Sequence, residues 1–121
     1  MKLILMLVAL LLTSTPAAAE YYRTEYLKKL LDNCSALSES FDASTENFQR
    51  VKDCGLSSGY ILGIFDSRNV ISDRSKCFPS PLQSEEVIAV VETWLRNHPE
   101  QRHEPADESV MAAFKDAWRC P

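Results

Sequence analysis

Apolar residues recur in steps of three and four along the stretch that follows Thr24. This spacing is typical of one face of an α-helix. Thr24 is a residue type that caps helix N-termini, because its side-chain oxygen can accept a backbone hydrogen bond. The pattern therefore predicts a first helix. Its apolar face carries Leu27, Leu30, Leu31, Cys34, Leu37 and Phe41.

A second helix is predicted from about Thr45 to Phe65. The segment from Asp66 to Lys76 that follows is mostly polar, and it predicts a loop. The apolar residues of the second helix that are available for burial are Phe48, Val51, Leu62 and Phe65.

The letters "SPLQ" predict the start of a third helix, with Ser80 as N-cap, Pro81 at the first helical position and Gln83 completing a capping box. Ser84 is the alternative N-cap. Pro99 limits the end of this helix, because the residue before a proline avoids helical geometry. The apolar face carries Val87, Ile88, Val90, Val91, Trp94 and Leu95.

A fourth helix is predicted from about Pro105 to Trp118. Four short helices with short connections predict an all-α fold, a small four-helix bundle of two antiparallel helical hairpins. No stretch predicts a strand. The apolar face of the fourth helix carries Ala106, Val110, Met111, Ala113, Phe114 and Ala117.

Residues 1–19 are predicted to be a cleaved signal peptide, since a basic start precedes the apolar run Leu3–Leu12 and small residues end at Ala19. The apolar run is too short for a membrane span, which needs about 20 residues. Residues 20–121 are then expected to form a single exported domain.

The charge balance of the exported part is acidic. Removing Lys2 lowers the 13 basic groups of the chain to 12 against 17 acidic groups, so the net charge becomes −5. A nucleic-acid or anionic-membrane partner would require a basic face. The composition therefore predicts neither partner after signal cleavage.

All four cysteines, Cys34, Cys54, Cys77 and Cys120, lie in the exported part. An even number in an oxidising compartment predicts two disulfides, whereas the closely spaced pairs of a zinc site are missing. Three pairings are open from sequence alone. The hairpin geometry favours Cys34–Cys54 and Cys77–Cys120, because each pair then lies at a similar height on neighbouring antiparallel helices.

The chain has three glycines, Gly55, Gly59 and Gly63, and they lie four apart inside the second helix. They share one helical face, and each costs the helix about 1 kcal/mol relative to alanine. A compensating close contact is therefore expected. Either a bulky side chain such as Trp94 or Trp118 of the same molecule fills this face, which is the favoured interpretation, or a second copy does.

The candidate catalytic chemistry is sparse. A cysteine nucleophile needs a nearby base, and the only histidines, His98 and His103, flank a turn. With every cysteine assigned to a disulfide, we predict that the chain is not an enzyme and holds neither metal nor cofactor. The carboxylates that a catalytic pair would need count as surface charge here: Asp66, Asp73, Glu85 and Glu86.

Residues 54 to 120 resemble the Rap/Tai family of immunity proteins associated with type VI secretion. The ordered motifs are a cysteine before a Gly-Tyr-Ile-x-Gly-x-x-Asp helix, a Cys-x-Pro before the next helix, a His-Pro-Glu turn, an alanine-bearing last helix and a terminal cysteine. The resemblance implies a helical, disulfide-bonded protein of the Gram-negative periplasm, commonly a homodimer. It also implies binding to a secreted peptidoglycan amidase that is similar to papain-like cysteine hydrolases.

An inhibitor of this kind acts by occupying the active-site cleft with its own surface, often a protruding loop. Two connections are candidates, the predicted loop after the second helix and the proline-held turn "NHPEQRHEP". In the loop, Val70 and Ile71 could be buried by a partner or fold back onto the core. The partner-binding candidates are Asp66, Arg68, Asn69, Val70, Ile71, Asp73, Arg74, His98, Glu100, Arg102 and His103.

The sequence thus predicts a periplasmic immunity protein that blocks a secreted cysteine amidase. The alternative is a periplasmic stress chaperone or envelope-assembly helper without a toxin partner. A chaperone would open its apolar surface to many unfolded proteins, whereas an inhibitor would stay folded and bind one target.

Overall fold

The computed structural model describes residues 22–37, 44–71 and 81–118, and at 68–71 the description covers the backbone alone. These ranges form an all-α fold, as predicted, and their one β-type pairing is an isolated bridge between Arg23 and Pro105. The elements are α1 (Thr24–Leu37), α2 (Thr45–Ile71), α3 (Ser84–Asn97), a short 3₁₀ helix (Pro99–His103) and α4 (Ala106–Trp118).

Helices α1 and α2 form an antiparallel hairpin. Near one end the rings of Tyr22 and Tyr60 lie 4.9 Å apart, and near the other Cys34 is bonded to Cys54 with 4.6 Å between their Cα atoms. Residue numbers increase from 22 to 34 along the first segment, while those of the contacting residues in α2 decrease from 60 to 54. The predicted hairpin is therefore confirmed.

Every helix contributes to the core. Leu27 of α1, Ile61 of α2, Val91 of α3 and Val110 of α4 have no solvent exposure, and Phe114 retains 2%. These residues lie on the apolar faces that the three- and four-residue spacing predicts, except Ile61, which the pattern did not single out. At one end of the bundle an aromatic layer closes the core. Its ring contacts are Phe65 with Phe114 at 5.6 Å, Phe65 with Trp118 at 6.0 Å and Phe114 with Trp118 at 5.5 Å.

The predicted cap of the first helix is wrong, because Thr24 lies inside the first turn. The carbonyl of Arg23 accepts the hydrogen bonds of Tyr26 and Leu27 instead. The Thr24 hydroxyl is buried and donates to the carbonyl oxygen of Glu104 at 2.8 Å. The hydroxyl therefore makes a long-range hydrogen bond to Glu104 in place of the expected N-cap hydrogen bond within its own helix.

The start of α3 also differs from the prediction. Gln83 is the N-cap, so Ser84 is the first helical residue and Pro81 precedes the helix. The backbone N–H of Gln83 donates to the Glu86 carboxylate at 2.8 Å, which is one half of a capping box. Gln83 takes the cap position because Glu86 lies three residues further on and can return this bond. Ser80 lies outside the described residues.

Helix α2 is longer than predicted. It continues to Ile71, so 66–71 belong to the helix and not to a loop. The reason is local, since neither proline nor glycine occurs between Gly63 and Pro79 to stop the helix. The hydroxyl of Ser67 donates to the carbonyl of Ile64 at 3.0 Å and does not interrupt the helix.

The Cys34–Cys54 disulfide is present as predicted. The preceding residues form a second cross-link, because the amide of Asn33 donates to the buried carboxylate of Asp53 at 2.7 Å. Gln49 donates to the other oxygen of that carboxylate at 2.8 Å. Each oxygen of the buried Asp53 side chain thus accepts a hydrogen bond beside the disulfide. Cys77 and Cys120 lie outside the described residues, and their pairing stays a prediction.

Tyrosine rings pack the outer end of the first hairpin. Tyr22 contacts Tyr26 at 5.1 Å as well as Tyr60. Burial raises the pKa of the Tyr60 hydroxyl above its ordinary value, and the charges of Asp107 and Tyr22 act in the same direction. A hydrogen bond with the Asp107 backbone partly offsets these effects. Tyr60 therefore stays neutral at physiological pH and serves as a packing residue that joins α2 to α4.

Removing the disulfide should destabilise the fold substantially. The bond closes a loop with a sequence separation of 20 residues. Loop-entropy arithmetic gives about 3 kcal/mol for a loop of this length. We expect the double variant Cys34→Ser/Cys54→Ser to lose about that much unfolding free energy in urea titrations followed by circular dichroism. A variant as stable as the parent protein would show that the hairpin is held by packing alone.

Thr24→Val should cost about 1–3 kcal/mol, because it removes a buried hydroxyl and leaves the hydroxyl of Ser109 without its partner. The two oxygens lie 2.7 Å apart. The same urea titration measures the loss. Thr93→Val, at an exposed position of α3, is the matched control and should change stability by less than about 0.5 kcal/mol. Equal effects of the two substitutions would contradict the assigned role of Thr24.

Candidate protein-binding surface

The connection between α3 and α4 is ordered by its own backbone hydrogen bonds. Pro99 opens the 3₁₀ helix, whose first bond runs from the N–H of Gln101 to the carbonyl of His98 at 3.1 Å. The N–H of Glu104 then bonds the carbonyl of Gln101 at 3.0 Å. The predicted stiff turn is therefore a helical turn with fixed geometry.

This connection is anchored on the N-terminus of α1. Arg23 donates its guanidinium to the carbonyl of His103 at 2.8 Å, and the backbone N–H of Thr24 donates to the carbonyl of Glu104 at 3.0 Å. The N–H of Ala106 donates to the carbonyl of Tyr22 at 2.9 Å. A connection anchored in this way loses little freedom on binding, so binding a partner there carries a small entropic cost.

The candidate residues of this connection differ in their surroundings. The side chains of Glu100, Arg102 and His103 are exposed, and the Nε of Arg102 donates to Nε2 of His103 at 3.2 Å. His103 also lies 4.0 Å from the carboxylate of Glu25. The structure therefore brings three of the predicted partner-binding residues together on one exposed turn.

His98 has a structural position. Its ring stacks on Trp94 with 4.1 Å between centroids and 15° between planes, and its Nδ1 lies 2.8 Å from the carbonyl of Trp94. Because a carbonyl only accepts, Nδ1 carries a proton there. His98 and Trp94 border a shallow groove of about 330 Å³ between α3 and α4, with Ala113 and Asp116 on the other wall.

The other predicted connection offers less for a site. Asp66 is exposed on the last turns of α2 rather than in a loop. The structure describes only the backbone of Arg68, Asn69, Val70 and Ile71. Asp73 and Arg74 lie outside the described residues.

The three glycines of α2 are exposed. A Cβ atom placed on Gly55, Gly59 or Gly63 would meet no heavy atom within 4 Å. The favoured interpretation, in which Trp94 or Trp118 fills this face, is therefore wrong. The two indoles are occupied elsewhere, because Trp94 stacks on His98 and Trp118 packs against Phe65 and Phe114.

Large apolar side chains flank the glycines on the same exposed face. Phe48 is 71% exposed, Val51 45% and Leu56 39%. The sequence had suggested burial for Phe48 and Val51, and that prediction is wrong, since the described core contacts the opposite side of α2. We call this face the α2 strip. It consists of Phe48, Val51, Gly55, Leu56, Gly59 and Gly63.

The described residues form neither a metal site nor a membrane-spanning helix. Among the described residues, no three His, Cys, Asp or Glu side chains are close enough together to hold a metal ion. None of the helices in the described ranges has the length and apolar character that a membrane span requires.

Comparison with known proteins points to one family. The family model of the Rap1a immunity proteins matches residues 27–120, which include the disulfide, the glycines of α2 and the anchored connection. No curated protein and no solved structure matches the chain. The resemblance that the motifs between residues 54 and 120 indicated is confirmed, and the match covers most of the 121 residues. The chain belongs to the family of Rap1a immunity proteins.

Proposed function

We propose that this protein is a periplasmic immunity protein that binds a peptidoglycan amidase delivered by type VI secretion and blocks its active-site cleft. The observation that carries the proposal is the family match over residues 27–120, which begins inside the first turn of α1 and includes the other described helices in full. Immunity implies a tight complex with a secreted effector. It requires no catalytic group, metal or cofactor on the inhibitor.

The anchored 3₁₀ connection is the proposed blocking element. It presents Glu100, Arg102 and His103 to solvent on a turn of fixed geometry. The C-terminal end of the turn is tied to Tyr22, Arg23 and Thr24 at the start of α1, so the turn can enter a cleft without first becoming ordered. The polar side chains of this turn could contact the catalytic cysteine and histidine of the cleft and so keep substrate away from them.

The proposed compartment agrees with the covalent structure. Disulfides persist in oxidising compartments such as the bacterial periplasm and are rare in the cytosol. The Cys34–Cys54 bond therefore supports export, as does the signal-peptide pattern of residues 1–19. Peptidoglycan, the substrate of the proposed target, lies in the same compartment.

The direct test is an inhibition assay. Residues 20–121 are purified and mixed with the type VI cysteine amidase encoded nearest to the gene, and release of muropeptides from peptidoglycan is followed. We expect activity to fall to background at a one-to-one ratio. The triple variant Glu100→Ala/Arg102→Ala/His103→Ala should inhibit at least about tenfold more weakly, since truncating even one hot-spot residue at the centre of an interface costs about 2 kcal/mol or more.

Lys115→Ala, an exposed change on α4, is the matched control and should inhibit like the parent protein. Undiminished amidase activity at a large excess of the parent protein would overturn the proposal. If the protein instead suppresses aggregation of several unrelated unfolded proteins, the exposed apolar α2 strip would favour the chaperone alternative.

A homodimer through the α2 strip is the second part of the proposal. The strip exposes apolar side chains to solvent. Between them, Gly55, Gly59 and Gly63 have no side chains that would keep another helix at a distance. A second α2 could approach this face closely. If the two helices run antiparallel about a two-fold axis at Gly59, Lys52 of one copy faces Asp66 of the other, because both lie seven positions from that glycine. Both side chains are exposed and available for this pairing.

Charge exchange tests this register. Lys52→Asp and Asp66→Lys should each weaken the dimer, because two like-charged pairs then face each other across the axis, and the double variant should restore it. Analytical ultracentrifugation measures the association. Gly59→Leu should remain folded, since a Cβ atom there meets no heavy atom of the described residues within 4 Å, but it should be monomeric. A parent protein that is monomeric at all concentrations, or single variants that dimerise normally, would exclude this interface.

A further inference from the structure

A groove lies between α1 and the corner where α3 meets the 3₁₀ helix. It has a volume of about 430 Å³. One wall carries Lys28 and Lys29 of α1, and the other carries Arg96 and Arg102. Leu95, which is 3% exposed, lies at its base with Pro99 beside it. The groove thus has an apolar floor with cations on both walls.

The charge of this groove is opposite to that of the chain. Two carboxylates, Glu25 and Asp32, also line it, but each already has a neighbour of its own. Asp32 accepts a hydrogen bond from Lys28 at 2.7 Å, and Glu25 lies 4.0 Å from His103. The whole chain has a net charge of −4, so a cluster of cations here stands out from its surroundings.

Three cations of the groove have no carboxylate partner among the described residues. Lys29 and Arg96 make no ion pair there, and Arg102 bonds only the ring of His103 at 3.2 Å. Two other cations of the α1–α2 hairpin are paired, Lys28 with Asp32 inside the groove and Arg50 with Glu46 on α2. Arginine presents a planar fork of donors that matches a carboxylate in two parallel hydrogen bonds.

Both walls of the groove are rigid. Helix α1 is fixed by the disulfide near its C-terminus and by Thr24 at its N-terminus. The 3₁₀ helix that carries Arg102 is held by the bond between Arg23 and the carbonyl of His103. A preformed site of this kind can accept an extended segment without prior rearrangement.

We propose that this groove docks an acidic segment of a protein partner, with an apolar side chain over Leu95 and flanking carboxylates on Arg96, Arg102 and Lys29. The proposal rests on the proposed function in one respect, that the segment belongs to the effector. The groove adjoins the blocking element, because Pro99 and Arg102 belong to both. The effector would then contact the protein at two adjacent places, its cleft on the turn and an acidic segment in the groove.

The charge of the groove has a kinetic consequence. Opposite charges steer encounter and fix register, so charge complementarity raises the association rate more than it slows dissociation. A basic groove on an acidic protein would orient an approaching partner so that the connection faces the cleft. The effect should weaken as salt rises, because exposed charges are screened beyond about 8 Å at physiological ionic strength.

A peptide titration tests the groove independently of any effector. The probe is an acidic peptide, Leu-Glu-Glu-Leu-Glu-Glu-Leu, and its control has glutamine in place of every glutamate. Each is added to the isotopically labelled protein, residues 20–121, and amide shifts are followed by NMR. We expect shifts confined to α1 and to the corner of α3 and the 3₁₀ helix, with the acidic peptide alone, and weaker binding at about 0.5 M salt.

Charge reversal supplies the matched variants. Arg96→Glu should reduce acidic-peptide affinity at least about tenfold, because it replaces an attraction with a repulsion of similar size. Lys115→Glu makes the same change in net charge on α4 and should leave the affinity within about twofold, because Lys115 does not line the groove. Equal binding of the glutamine peptide, no binding of either peptide, or equal effects of the two variants would overturn the proposal. Stronger binding of polyphosphate than of the peptide would also overturn it.

The effector assay separates the two proposals. If the parent protein inhibits the amidase and Arg96→Glu inhibits equally well with an unchanged association rate, the groove inference fails and the immunity function stands. If the parent protein does not inhibit the amidase but the acidic peptide binds the groove, the immunity function fails and the groove remains a site for acidic segments.

Discussion

A buried pair of hydroxyl groups fixes the arrangement of this protein. Thr24, at the start of α1, donates to the carbonyl of Glu104, and its oxygen lies 2.7 Å from that of Ser109 in α4. These groups are separated by 80 and 85 positions in the chain. Because polar groups buried this deeply need partners, these bonds hold the start of α1 against Glu104 and Ser109 of the second half of the chain. The neighbouring bonds of Arg23 and Tyr22 complete this contact, and they also set the orientation of the 3₁₀ connection.

The first hairpin is reinforced at its other end. The Cys34–Cys54 bond and the adjacent hydrogen bond between Asn33 and Asp53 cross the same gap between α1 and α2. A domain of this size buries a limited apolar area, and covalent and polar cross-links offset that limit. The consequence for function is rigidity. Helix α1 forms one wall of the basic groove and supports the connection that we propose as the blocking element.

One face of α2 is exposed and has no packing partner among the residues that the structure describes. The helix contacts the core through Ser57 and Ile61, while Phe48, Val51 and the glycine-lined face point to solvent. Exposing apolar side chains to water is unfavourable, so burying this face against a second copy would stabilise the protein. The basic groove and the anchored turn lie on elements other than α2. An arrangement in which one surface dimerises while another binds an effector is therefore consistent with the fold.

The sequence by itself determined the helical class, most core positions and the family, because these depend on periodicity and on an ordered set of motifs, and it favoured the pairing of Cys34 with Cys54 among three possible pairings. Helix ends were harder. The cap at Thr24 failed because a tertiary bond competed for its hydroxyl, and α2 ran past Phe65 because no residue stopped it. Only the tertiary structure decided that neither Trp94 nor Trp118 fills the glycine face of α2, because the orientation of a helix about its own axis determines which face is exposed. It alone assembled the basic groove, because Lys29, Arg96 and Arg102 belong to three separate elements whose proximity no local pattern encodes.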